Sequence, residues 1–561
     1  MTTTTSTTSS TTTTSTSYSY STSSSDTDWD ALIEVAVAAK ETRADSIDLK
    51  IEDNEATIAA YEEMQSLLQD IVSAAETIRG TADSLTANDD IFSTRAAYLT
   101  AVGDVDAESA VVVTAEADAT ITTYDLQILQ LASAQKVAGT AVEDKTAELG
   151  LSGTFSIQLE NAEAVDIEIS EDMTLAEIAE AINLQSDTSG VSATVLEVSE
   201  GSFRLILSAD ETGQEIVLTD VSGDDVTGSL GLTDEDGSFT SELQEAQSAI
   251  ITLDGIEITR TTNTIDDLID GVTFNLYQET GEDNSISVEI SNDLTSIKSA
   301  ITALVDAYNA YREWAVTQQA TSSAGGASDD AVLFGDSTLR AVNTAIADAL
   351  STVIDTDSMA LLGLTYDESN YLVLDETTLN EALLEDVEAI EDLLAFQMTS
   401  TSTDIALLNR SSNMPESLSL DIEVDDEGNI TSVSVDGDSS LFTISGSRIN
   451  GAEGSIYEGI TFVFTGDESQ SVDLSFSSGI VEKLYSTIES YSNSDDGILE
   501  DMMTSLTETN EDLQEDADDI RSRAETYRDT LAARYAAYQV AIEEAESTLD
   551  YLEALLNSGS D

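Results

Sequence analysis

The chain has no histidine, no cysteine, one proline, and 19 basic residues against 111 acidic ones. Without imidazole or thiol, it lacks the commonest general base, the thiolate nucleophile, disulfides and the usual zinc sites. The formal charge of −92 leaves nothing to neutralise phosphates, so nucleic acid is not an expected partner. An anionic membrane surface is disfavoured for the same reason. No run approaches the ~20 apolar residues of a transmembrane helix, so no membrane insertion is expected. No basic segment followed by an apolar one opens the sequence, so no ordinary secretory signal is expected, and a protein working outside the cell would leave by a route that does not read one.

What is present is a chain of 561 residues, 41% of them apolar, enough for several folded domains. Charge of one sign on this scale repels itself, and salt relieves the repulsion, because the Debye length falls to about 3 Å at 1 M. The composition points to a salty medium and a halophilic acidic proteome.

Residues 1–25 are almost purely Ser and Thr without a charge. They offer no apolar surface against the entropy of ordering, so a disordered tail is expected over 1–27. A helix is expected from Asp28–Trp29 to Gly80. Its apolar line runs Ile47, Ile51, Ile58, Tyr61, Leu68, Val72, with polar Asn54 and Gln65 in the same line. The steps alternate four and three, a heptad seam in which a polar residue can fix register. A second long helix is expected near 499–556, roughly 85 Å of rod. Its seam includes Leu513, Ile520, Tyr527, Leu531, Tyr535, Tyr538, Ile542, Leu549, Leu552 and Leu556, with Asn510 in line. Two adjoining steps of four at Tyr527–Leu531–Tyr535 make a stutter. The rod outlasts its N-terminal partner, so its apolar face from Leu531 onward is expected to recruit another subunit. Arg521, Arg523, Arg528 and Arg534 crowd one stretch. Ion pairs are expected from them to Glu52, Asp53, Glu55, Glu62 and Glu63, setting helix orientation.

The middle reads as strands: VVVTAEADAT (111–120), TYDLQILQLA (123–132), TFSIQLENA (154–162) and FRLILSAD (203–210). Two more are expected in 250–277. A short helix, TLAEIAEAIN, is opened by the capping box Thr174–Glu177. Helices are also expected from Asp293 to about Trp314 and around 377–396. The fold class is therefore multidomain α+β. N- and C-terminal helices (28–80 and 479–561) form an α-helical coiled coil around β-rich domains at 81–290 and an inserted β-rich domain at 401–478. A mixed helical domain at 291–400 packs on the coiled coil.

Several segments, in order, resemble the flagellar filament cap family (FliD, the hook-associated protein of the distal end). These are residues 28–71, TYDLQILQLASAQKV, TLAEIAEAIN through FRLILSADETG, ITLDGIEITRTTNTIDDLIDGVTFNL, LVDAYNAY, Leu333–Ser337, LLGLTYDESNYLVLDETTLNEAL and residues 479–520. The family's Gly-Leu-Asp lead is replaced here by the Ser/Thr tail. The resemblance implies a ring-like homo-oligomer, commonly a pentamer, at the distal tip of the bacterial flagellum. It would retain exported flagellin and promote its insertion beneath the cap. It implies secretion through the flagellar type III apparatus, a cytosolic export chaperone at the C-terminal helix, no catalytic residue and no cofactor.

The alternatives are an acidic extracellular adhesin or S-layer-like protein, another hook-associated junction protein, and an enzyme. Asp224–Asp225 and Asp234–Gly237 offer calcium-type oxygens, but neither completes a twelve-residue calcium loop. Asp425–Asp426 is an acid pair of the kind glycosidases use, yet 111 acidic residues make such pairs inevitable. A halophilic chain loses helix and sheet signal on dialysis from about 2 M to about 0.1 M NaCl, as screening is withdrawn. Circular dichroism that stays flat across that range contradicts the reading.

Overall fold

The computed structural model describes residues 28–80, 90–281, 283–354, 356–411 and 414–558, the last three as backbone. The tail at 1–27 and the side chain of Leu556 lie outside the described residues. The chain forms two compact units. One comprises Met1–Ser66, Thr317–Gly335 and Tyr491–Asp561; the other comprises Leu67–Val316 and Asp336–Ser490. Mixed helices and antiparallel sheets make the fold α+β.

The second unit holds three β-rich cores. In the first, Arg95–Val102, Ser285–Asn292, Thr122–Gln130, Ala249–Leu253 and Ile256–Arg260 form an antiparallel five-stranded sheet in that order. A three-stranded sheet of Thr264–Ile269, Val272–Leu276 and Val111–Ala115 shares its core, around Leu126, Ile128, Phe274 and Val288. The sequence suggested two strands over 250–277, but the structure has four, in two hairpins assigned to different sheets. Asp254 and Gly255 turn the first hairpin at φ 50 and 76, the paired positive φ of a tight primed turn. The short break at Thr261–Asn263 hides the second.

Between Gln130 and Ala249 lies a second core, with a four-stranded and a three-stranded sheet. The capping-box helix is found at Leu175–Asn183. The Thr174 amide donates to Glu177 Oε2 at 2.9 Å, and the Glu177 amide donates to Thr174 Oγ1 at 3.3 Å. This satisfies two amides that a helix start leaves open. Leu175, Ile178, Ala179 and Ile182 make one apolar stripe and are buried with Phe155 and Ile157.

The helical part begins with Leu294–Gln318. Tyr308 and Asn309, from the LVDAYNAY segment, clamp the hairpin Leu364–Tyr366/Leu372–Leu374. Tyr308 donates its hydroxyl to the Asn370 carbonyl at 2.9 Å, and Asn309 exchanges two 2.9 Å bonds with the Leu372 backbone. The single helix expected around 377–396 is two, Glu376–Glu385 and Val387–Leu394. Asp386, at φ −159, breaks the first and caps the second. A helix at Ser337–Leu350, capped by Asp336, was not read from the sequence.

A β-sandwich follows. One sheet orders Phe396–Ser400, Gln470–Ser478, Ser417–Val424, Ile430–Ser434; the other orders Ile405–Asn409, Thr461–Phe464, Arg448–Gly451, Phe442–Ser445. Strict alternation along Ser417–Val424 sends Leu418, Leu420 and Ile422 inward, as a half-buried strand requires. The chain leaves through Gly479, whose amide donates to the Ala395 carbonyl at 2.9 Å. A Cβ there would stand 2.3 Å from the Leu394 carbonyl carbon, so only glycine fits.

Helix Ile480–Ser492 then brings Glu482 between two arginines. Its Oε2 lies 3.1 Å from Arg79 Nε and 3.0 Å from Arg410 Nη2, with the Glu482 and Arg410 side chains 7% and 4% exposed. Arg410 also donates to the Gly80 carbonyl at 3.0 Å. The Arg79 guanidinium stacks 3.6 Å from the Tyr485 ring centre. Burial pushes the Glu482 carboxyl up against the opposing pull of Arg410 and Arg79. Burial also draws Arg410 down to about 10. Desolvation therefore outweighs attraction in this knot, and removing one partner strands the others. Glu482→Gln is expected to destabilise this unit by ~3–5 kcal/mol. Glu376→Gln, which breaks the exposed Lys298–Glu376 pair, costs under ~1 kcal/mol. Chemical denaturation of the two variants side by side checks the contrast.

Candidate assembly surface on the terminal helices

In the first unit the chain's two ends meet. Helix Trp29–Ile78 starts where Asp28 Oδ1 accepts from the Ala31 amide at 3.1 Å, the N-cap bond that opens a helix. Helix Ile498–Ser558 runs antiparallel to it. Four contacts fix the register. Trp29 lies against Tyr535, ring centres 4.9 Å apart. Ile33 and Val37 are buried with Ala524 and Leu531. Ala44 and Ile47 are buried with Ala517, flanked by Ile51, Leu513 and Ile520. Asn54 Nδ2 donates to Asn510 Oδ1 at 2.8 Å. The three buried alanines let the backbones approach closely.

The residues named from the sequence fall in distinct places. Ile47 and Tyr61 are buried, and Ile51, Ile58, Leu513 and Ile520 are half-buried. Leu68 and Val72 are buried too, but belong to the second unit. Leu531 is 7% exposed and Tyr535 half-buried. The rod's surplus therefore begins after Tyr535, not at Leu531, because the N-terminal helix reaches further back than its apolar line suggested. The seam continues through Ile33, Val37, Lys40 and Ala44 in unbroken steps of four and three. A lysine and an alanine interrupt its greasy character, which is why the line is not legible as apolar. Lys40 instead holds its ammonium 5.3 Å from the centre of the Tyr527 ring, a cation–aromatic contact.

The arginine expectation is corrected. Among the described residues, Arg521 alone of the four forms an ion pair with the N-terminal helix, and its partner is Asp48. Arg523 pairs with Asp519, and Arg528 with Glu525, within their own helix. Arg534 donates to the Tyr538 hydroxyl at 2.8 Å. Antiparallel register sets Glu52 through Glu63 further along the hairpin, beyond the arginines' reach.

Past Tyr535 the terminal helix continues for about 35 Å with no counterpart on the N-terminal helix among the described residues. Tyr538, Ile542, Leu549 and Leu552 are exposed along one face, at 42, 37, 62 and 50%. With Ala545 between Ile542 and Leu549, steps of three and four residues join them into one apolar stripe. Such a stripe on a helix is a candidate assembly surface.

The acidic turns have local roles. Asp234 Oδ1 accepts from the Asp236 and Ser238 amides, both at 3.0 Å. Asp425 Oδ1 accepts from Glu427 and Asn429, at 3.0 and 2.9 Å. The Asn429 backbone bond holds the Asp425 carboxyl below its ordinary range. These carboxylates close turns on their own backbone. Asn54→Leu alone leaves the Asn510 amide facing a leucine and costs ~1–2 kcal/mol. Adding Asn510→Leu regains that loss or exceeds it, while loosening register. A double-mutant cycle by urea denaturation measures the coupling.

Comparison with known proteins gives three family models. "Flagellar hook-associated protein 2 C-terminus" matches residues 246–547, more than half of the chain. "Flagellar hook-associated protein 2 N-terminus" matches 25–135, and "Flagellin hook IN motif" matches 153–211. The B-type flagellar hook-associated protein 2 of Pseudomonas aeruginosa is 29% identical over 286 residues, 48% of this chain and 60% of that one. The A-type protein of the same species is 28% identical, over 50% of this chain and 63% of its own length. The chain thus spans somewhat less than two thirds of these two relatives. The Escherichia coli K12 flagellar hook-associated protein 2 is 28% identical, over 65% of this chain and 77% of its own. Among solved structures, the D1-D2-D3 domains of the Escherichia coli flagellar cap protein FliD are 26% identical. They cover 60% of this chain and 89% of theirs, at a TM-score of 0.44. With both terminal family models matched in order along one chain, this protein belongs to the flagellar hook-associated protein 2 (FliD) family.

Proposed function

We infer that the chain is a flagellar filament cap. It assembles as a ring-like homo-oligomer, with a pentamer as the expected state, at the distal tip of the bacterial flagellum. There it retains exported flagellin and promotes its insertion into the growing filament. The single observation that carries this reading beyond family membership is the bare apolar stripe past Tyr535. A protomer whose described residues leave the stripe Tyr538–Leu552 uncovered gains stability by giving it to a partner. The role requires geometry and no bond-making chemistry, so the chain acts as a scaffold and not as an enzyme. Export proceeds through the flagellar type III apparatus, and the same stripe is the natural hold for an export chaperone before secretion. The coiled-coil seam, the β-rich domains as cap plate and the extracellular location belong to this reading.

Two measurements test it. A chain ended at Tyr535 sediments as a protomer under molar salt, while its sheet signal in circular dichroism is unchanged; rings that persist after the truncation contradict the assembly reading. In cells lacking the gene, flagellin escapes to the medium as monomer. The full chain restores filaments and the truncated chain does not.

A further inference from the structure

The basic residues are unevenly placed. Seven of the 19 lie in two short stretches, Lys40–Lys50 and Arg521–Arg534. The antiparallel register brings these stretches side by side, as the Arg521–Asp48 pair and the Lys40–Tyr527 contact show. With the five acidic residues of the same stretches, Glu41, Asp45, Asp48, Glu525 and Asp529, they form an aromatic ledge of small net positive charge on a chain that is acidic almost everywhere else. Arg534 and Lys40 have no carboxylate within ion-pair distance among the described residues, and each lies over a tyrosine instead. Tyr527 and Tyr538 are 37 and 42% exposed. The ion pairs of Arg523 and Arg528 are exposed contacts to their own helix, worth little and readily exchanged for a partner's carboxylates.

The overhang is the opposite. From Tyr535 to Asp561 there is no basic residue. Glu546 and Glu553 follow the seam positions Ile542 and Leu549 by four residues each, so they flank the apolar stripe where a coiled coil places the charges that choose its partner. Both are exposed. Ledge and overhang are complementary in charge, and both carry apolar surface. A continuous helix joins them end to end, and a rod cannot fold back on its own root. They can meet only between two molecules.

We propose that the overhang of one copy docks on the ledge of the next. The stripe Ile542–Leu552 packs beside Tyr527 and Tyr538 of the receiving copy, and Glu546 and Glu553 reach its Lys40 and Arg534. The contact joins two different surfaces, so repetition propagates and a suitable rotation closes it into a ring. This inference rests on the assembly reading above and names the surfaces that reading leaves open.

The test is a charge swap on the full chain, at the lowest salt that keeps it folded, with mass read by light scattering. Lys40→Glu with Arg534→Glu reverses the ledge; Glu546→Lys with Glu553→Lys reverses the overhang. Each double variant alone is expected to associate at least ~10-fold more weakly than the parent. An equimolar mixture of the two recovers the parent's mass, because every overhang then finds an opposite ledge. A chain carrying all four changes also recovers it. Helical signal equal to the parent's shows that each variant is folded. If the parent assembles and truncation at Tyr535 abolishes assembly, but the reversals neither weaken it nor rescue each other, the ledge is not the receiver. The stripe then pairs with another stripe or another surface, and the docking proposal falls while the assembly reading stands. If the parent is a protomer at every concentration, both fall.

Discussion

The pairing of the chain's first helix with its last is the constraint on which the candidate assembly surface depends. Trp29 and Tyr535, Ile33 and Leu531, Ala44 and Ala517, Asn54 and Asn510 are each separated by more than 450 residues in sequence. Bringing such distant points together costs only slowly more entropy as the loop grows. The price is met by a seam of isoleucine, valine and alanine along which two helices lie close. The half-buried asparagine pair joins a donor to an acceptor at one register and separates them at any other. Register in turn decides where the pairing stops, and so how much of the terminal helix stays bare.

Scarce positive charge marks positions where geometry matters. Arg79 and Arg410 converge on Glu482 and tie three remote segments into one buried knot in the second unit. Seven basic residues line the hairpin in the first. In a chain of net charge −92, each cation has a large choice of anionic partners. Burial or an aromatic neighbour therefore distinguishes the specific contacts, since exposed ion pairs contribute little.

Much of this was legible in the sequence where one local rule sufficed. The Thr174–Glu177 capping box states itself through spacing, and Gly80 follows the end of the first helix at φ 75. The illegible parts needed two segments at once. Lys40 reads as a solvated charge until Tyr527 is set beside it, and Ala44 is too small to announce a seam. The partner of Arg521 depends on register, which no single helix reveals. The helix at Ser337–Leu350 did carry a readable signal: Asp336 as cap, then Leu339, Val342, Ile346 and Leu350 at helical spacing. The four strands at 249–276 read as two in the sequence because their turns are two or three residues long.

The β-sandwich opens and closes at one place. Phe396, its first residue, pairs in register with Ser478, its last, and Gly479 bonds back to Ala395. The second core is hung in a similar way, with Ser133 bridged to Gln247. Each module is a closed loop on a fixed doorway, so its interior can be lengthened, shortened or exchanged without shifting the strands on either side of the threshold. Evolution can therefore vary what these modules display independently of the helical scaffold. For the sandwich there is one proviso: any replacement must still supply a cation to Glu482 at its threshold, as Arg410 does now.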